Sequence, residues 1–96
     1  MLSVMIRSFR DKDAEALFAG TVTRRLRSVG RTAQRKLEQL HAAVRLEDLT
    51  IFPGNRLEAL KGDRQGQQSI RINDRLRICF LWRNGDAYEV EIVDYH

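Results

Sequence analysis

The sequence has few of the residues that staple or break a chain. A single cysteine, Cys79, excludes an internal disulfide, and its setting in RICFLW is that of a buried thiol. An oxidising compartment is therefore not required. One proline, with 43% hydrophobic and 31% charged residues, excludes a disordered or collagen-like chain. No apolar run approaches the roughly 18 to 20 residues of a membrane span. The opening MLSVMIRSFRDKD is too short in its apolar part, and too soon acidic, for a signal peptide. A cytoplasmic protein without membrane contact is expected. The 96 residues suffice for one compact core but not two, so residues 1–96 are expected to form a single domain.

Charge of one sign is missing from two stretches. No acid lies between Gly20 and Lys36, where Arg24, Arg25, Arg27, Arg31, Arg35 and Lys36 fall, and no lysine or arginine follows Arg83, where Asp86, Glu89, Glu91 and Asp94 fall. Between them, Arg56, Lys61, Arg64, Arg71, Arg75, Arg77 and Arg83 outnumber Glu58, Asp63 and Asp74. The net charge of +4 points weakly to a polyanionic partner, and the clustering points there more strongly. LKGDRQG lacks both the spacing and the lysine-serine ending of a phosphate-binding loop, which excludes a nucleoside triphosphate site. His41 has no cysteine, histidine or paired acid at ligand spacing, so it is read as structural or exposed, with no metal and no cofactor expected.

What is present is periodicity. Residues 3–9, SVMIRSF, alternate like a strand. Asp11 reads as an N-cap, with Asp13 and Glu15 in the first turn of a helix whose apolar face is Ala14, Leu17 and Phe18, stopped by Gly20. A second helix opens at Thr32 with Ala33, Leu37, Leu40 and Val44 on one stripe and Arg35, Lys36, Glu38 and Gln39 on the wet side. QSIRIN, RLRICFLW and AYEVEIV then alternate, separated by Asn73-Asp74 and by the Asn84-Gly85 pair of a type I′ hairpin, which predicts an antiparallel meander. Ile70, Ile72, Leu76, Ile78, Phe80, Trp82, Tyr88, Val90 and Ile92 are expected on its covered side. The fold class is α+β, with two N-terminal helices packed on one face of a small antiparallel sheet.

Alternation then sends Arg71, Arg75 and Arg77 to the open face, where forked guanidinium donors suit phosphate oxygens. Pairing of these arginines with Glu89 and Glu91 is the competing reading, and periodicity alone does not separate the two. Arg56, Glu58, Lys61 and Arg64 lie in the loop that leads into this sheet. The chain closes on Asp94, Tyr95 and His96, three side chains able to orient, donate or carry a proton. A frayed surface tail is the alternative. Strict alternation places Tyr95 with Arg71 and Arg77 but sends Asp94 and His96 to the other face, a constraint that a twist beyond Ile92 would release.

MIRSF, NRLEALKGDRQGQQSIRINDRLRICFLW and VEIVDYH, in that order over nearly the whole chain, resemble the HigB-type toxins, including GraT-like members, of the RelE/ParE group of toxin-antitoxin systems. The resemblance implies a RelE-like fold and a ribosome-dependent, metal-independent endoribonuclease that cuts mRNA using the substrate's own 2′-hydroxyl. Carried over by motif, the catalytic ending falls on Asp94, Tyr95 and His96 and the strand arginine on Arg77. Some members carry a catalytic histidine before LKGD, a place held here by Glu58. Arg56, Lys61, Arg64, Arg71 and Arg75 are then expected to contact RNA. The implied partners are a HigA-like helix-turn-helix antitoxin, the ribosome and its mRNA, and operator DNA through the antitoxin complex. The acidic last strand and TRRLRSVGR are candidate contacts for the antitoxin or ribosomal RNA, and unpaired arginines favour ribosomal RNA for TRRLRSVGR over a solvated connection between the helices. Two other readings remain open, a ParE-like gyrase binder without nuclease chemistry and a corepressor that only binds.

Overall fold

The computed structural model describes residues 6–94. Helices α1 (Lys12–Phe18) and α2 (Gly30–Ala42) precede strands β1 (Glu58–Ala59), β2 (Gln67–Arg71), β3 (Leu76–Arg83) and β4 (Asp86–Asp94). The strands make one antiparallel sheet in the order β1-β2-β3-β4. The architecture is thus α+β, with short 3-10 turns at Arg24–Val29, Leu46–Ile51, Pro53–Asn55 and Gly62–Arg64. No described helix is long and apolar enough to cross a membrane.

The expected first strand is reduced, in its described part, to two parallel bridges, Ile6 to Ala87 and Phe9 to Val90; residues 3–5 lie outside the described residues. This segment runs along the outer edge of β4 and ends at Asp11, whose Oδ1 accepts the Asp13 amide at 2.9 Å to start α1. The other carboxylate oxygen accepts the Ile92 amide at 3.0 Å, so the cap of the first helix also ties down the last strand.

α2 begins at Gly30, two residues ahead of Thr32, where a Cβ would lie 3.1 Å from the Val22 side chain. Ala33, Leu37 and Leu40 are fully buried as the stripe requires. Val44 is not on it, because the backbone turns extended at Ala43 and leaves Val44 70% exposed. Lys36, expected on the wet side, is only 9% exposed, because the 3-10 turn Pro53–Asn55 closes over it and its Nζ donates to Asn55 Oδ1 at 2.5 Å. His41 packs its ring against Phe18 at 4.9 Å, and its Nδ1 is buried without a hydrogen-bond partner among the described residues.

In the sheet, Ile70, Ile78 and Ile92 stand in register on the core side and join Leu17, Leu37, Leu40, Phe80 and Val90 in one hydrophobic cluster. The Asn84-Gly85 turn has positive φ at both residues, 51° and 85°, as a type I′ hairpin requires. Tyr88 departs from expectation. Cys79 pairs with Glu91 while Leu81 pairs with Tyr88, so Phe80 alone faces Glu89 and Val90, and Glu89 takes φ 55°. This bulge moves Tyr88 to the side away from the core and puts Ala87, opposite Trp82, fully inside. The Arg83 guanidinium lies 5.7 Å from the centre of the Tyr88 ring.

Candidate active site

Odd-numbered residues of β3 point away from the core, and Arg77 is the first of them. Its Nε donates to Ser69 Oγ at 2.7 Å, and its Nη2 donates to the Arg56 carbonyl at 2.7 Å and lies 3.5 Å from Glu58 Oε1. The arginine side chain is 12% exposed while that of Glu58 is 59% exposed, so the carboxylate faces solvent beside a fixed guanidinium. Two backbone features build this arrangement. β1 brings Glu58 opposite Ser69 on β2, and Arg56 follows the Pro53–Asn55 turn in the left-handed conformation, at φ 45° and ψ 61°.

Beside Arg77 lie two further expected contacts. Arg71 is in direct register with Arg77 and is held by Asp74, three residues ahead in the turn. Arg64 donates from Nη1 to Glu91 Oε2 at 2.9 Å and to Gln67 Oε1 at 3.0 Å. Ser69 and Cys79 beneath these side chains have no exposure at all. The open arginine face expected from alternation is therefore closed over at its centre, because the guanidiniums fold onto the sheet to reach carboxylates and carbonyls. Neither acid expected to pair with these strand arginines does so: Glu91 is bound by Arg64, while Asp74, Asp94 and Glu58 answer Arg71, Arg75 and Arg77. Burial pushes the Cys79 thiol up to about 11, with Arg64 and Arg77 opposing and Glu91 adding to that rise. Arg56 and Lys61 are exposed at the rim of this group.

On the other side of the same sheet end lies a second group. Asp94 is opposite Leu76 in the ladder, which sends it to the core side, and its Oδ2 accepts from Arg75 Nη2 at 3.0 Å. Both border a cleft of about 270 Å³ lined also by Arg25, Ser28, Val29, Asn73 and Leu76. Arg25 is tied to Asp11 at 2.5 Å, to Asp13 at 2.7 Å and to the Ile92 carbonyl at 3.2 Å. Its hydrogen bond to Asp13 holds the Asp13 carboxyl below the usual carboxylate range. The structure thus brings Arg77 together with Glu58 and the Arg56 backbone, and Arg75 together with Asp94, on two sides of the start of β3. Tyr95 and His96 lie outside the described residues.

Three participants were not anticipated. Ser69 is the outward residue two before Arg71, and nothing in its alternation sets its hydroxyl apart from a surface serine. Asn55 carries no side-chain signal of its own in the sequence, although Pro-Gly-Asn marks the turn that it anchors. Arg25 read as one of a run of unpaired cations; the acids that bind it lie 12 and 14 residues earlier, at the start of α1. Arg24, Arg27 and Arg31 of that run are exposed and have no ionic partner among the described residues.

Residues 7–96 match the family described as the RelE-like toxin of type II toxin-antitoxin system HigB. The chain is 41% identical over 85 residues to Toxin HigB-1 of Vibrio cholerae serotype O1, covering 86% of this chain and 90% of that one. It is 38% identical over 96 residues to Endoribonuclease HigB of Proteus vulgaris, covering 96% of this chain and all of that one.

Proposed function

The chain belongs to the RelE-like HigB toxins of type II toxin-antitoxin systems, and from that membership we propose that it is an endoribonuclease that cuts mRNA held on the ribosome. Residues 1–96 act as one RelE-like domain in the cytoplasm, with α1 and α2 on one side of the sheet and RNA approaching the sheet end that carries Arg77. The observation that carries the reading is the guanidinium of Arg77, fixed by Ser69 and the Arg56 carbonyl beside the exposed carboxylate of Glu58.

The reaction needs little else. A 2′-hydroxyl attacks the adjacent phosphorus, the bond to the 5′-oxygen breaks, and a cyclic 2′,3′-phosphate and a 5′-hydroxyl result. Glu58 takes the 2′-hydroxyl proton. Arg77 stabilises the charge that builds on the phosphoryl oxygens, where a preorganised donor acts most strongly. His96 supplies the proton to the leaving 5′-oxygen, Asp94 orients the imidazole, and Tyr95 stacks on or hydrogen-bonds the RNA. Arg56, Lys61, Arg64, Arg71 and Arg75 hold the flanking phosphates. TRRLRSVGR contacts ribosomal RNA through Arg24, Arg27 and Arg31. A HigA-like helix-turn-helix antitoxin restrains the toxin, and the pair binds operator DNA.

Induction of the chain without its antitoxin tests this reading. Growth should stop and primer extension should show cut messages on ribosomes, with both effects relieved by Arg77→Ala or His96→Ala. Damaged DNA with intact mRNA would point instead to a gyrase binder, and unaffected growth to a corepressor.

A further inference from the structure

Behind Arg77 lies a buried polar group that none of this chemistry uses. Asn55 has no exposure, and its amide is filled at both ends: Oδ1 accepts from Lys36 Nζ at 2.5 Å, while Nδ2 donates to the Leu49 carbonyl at 3.0 Å and to Gln39 Oε1 at 3.1 Å. The orientation is locked, because turning the amide over would aim NH₂ at an ammonium and oxygen at two acceptors. An aspartate here would lose both donations, and a serine would not reach all three partners. Lys36 has no carboxylate partner among the described residues, and burial, with Arg35 and Arg71 nearby, holds its pKa below the usual lysine range. A buried cation without a counter-charge is unfavourable, so its place in α2 calls for a reason.

The reason is one residue further along the chain. Arg56, directly after Asn55, is in the left-handed region that a side chain rarely adopts, and its carbonyl is a fixed acceptor of the Arg77 guanidinium. The position of that carbonyl follows from the anchor before it. We infer that Asn55, clamped by Lys36 and Gln39 of α2, is a positioning residue that sets the Arg56 carbonyl and through it aims Arg77 at the scissile phosphate. This rests on the reading of Arg77 as the phosphate-facing cation, and it adds a route by which the helix layer holds a group on the far face of the sheet.

The test is a double-mutant cycle. Single-turnover cleavage of mRNA on ribosomes, at saturating toxin, is measured for Asn55→Ala, Arg77→Ala and the pair, with the folded fraction fixed by circular dichroism. Asn55→Ala is expected to slow cleavage by up to about 100-fold, the scale of a small misplacement at a reacting group, with ribosome affinity unchanged. In the Arg77→Ala background it is expected to cost nothing more. Because Asn55→Ala strands all three of its partners, Gln39→Ala, which releases only one of them, is measured alongside; a smaller loss is expected, again absent once Arg77 is gone. Losses that multiply in the double variants, or Asn55→Ala cutting at the normal rate, would overturn the inference. An Arg77→Ala protein that cuts normally would instead remove the reading beneath it.

Discussion

Arg71 on β2 and Arg77 on β3 stand directly opposite each other in the ladder, both on the side away from the core. Like charges so placed repel. Each is answered by its own acid, Asp74 for Arg71 and Glu58 for Arg77, and both acids are largely exposed at the mouth of the site. An incoming phosphate would add a negative charge between two cations whose existing partners are solvated and weakly held.

Replacing Arg77 by alanine is expected to lower single-turnover cleavage by about 100- to 1000-fold, the range for losing one preorganised donor to a transition-state oxygen. Arg77→Lys keeps the charge but lacks the fork that reaches Ser69, the Arg56 carbonyl and Glu58 together, so its rate should lie nearer that of alanine than of the parent protein. A lysine variant with the parent rate would show that charge alone suffices.

The exposed arginines Arg24, Arg27 and Arg31 should act through phosphate contacts. Replacing all three by alanine is expected to weaken ribosome binding and to flatten its dependence on log salt, by roughly 0.7 to 0.9 for each phosphate contact removed. Binding measured between low and moderate salt reads this directly, and an unchanged slope would exclude the contact. Arg25 is a control of another kind. Its ties to Asp11, Asp13 and the Ile92 carbonyl predict that Arg25→Ala lowers thermal stability.

Glu89 holds φ 55° at an exposed bulge whose amide accepts no constraint from its own side chain, being donated to Ser8 Oγ at 2.9 Å. Glycine adopts this conformation freely. Glu89→Gly should keep that bond and stabilise the fold by about 0.5 to 1 kcal/mol, read as a higher denaturant midpoint with unchanged slope. Lower stability would mean that the glutamate side chain contributes more than the strain costs.

Cys79 carries a pH signature. Its folded pKa is raised from 9.0 to about 11, so between those values the native protein holds a proton that the unfolded chain has lost. Stability is therefore expected to be intact below about pH 9 and to fall as pH rises toward 11. Cys79→Ser should flatten that part of the stability curve. For the same reason the native thiol should resist alkylation at pH 8, and labelling should follow unfolding.

Local signals carried much of the architecture. Asp11 and Gly20 bracket α1, and Asn84-Gly85 fixes the hairpin, because capping and turn chemistry depend on a few adjacent residues. The stripe of Ala33, Leu37 and Leu40 likewise identifies α2. What escaped depends on distant partners. The Glu89 bulge, which turns Tyr88 outward, lies inside a perfect alternation, and β1 is two residues long with no period to detect. In the site, Arg77 was legible from its outward phase, and the placement of Asp94 on the core side followed from the same rule. The Ser69 and Arg56 contacts that fix Arg77 were not, since one is a hydroxyl across a strand and the other a backbone carbonyl with no side-chain signature.

The bridges from Ile6 and Phe9 to Ala87 and Val90 join the two extremes of the described chain. During synthesis the first of these residues leave the ribosome early and must wait for the last strand before they have anything to pair with. β4 also supplies the Ile92 amide that Asp11 binds and contributes Ala87, Val90 and Ile92 to the hydrophobic cluster. The described core therefore cannot close until β4 has been made, and its earliest and latest elements must fold together.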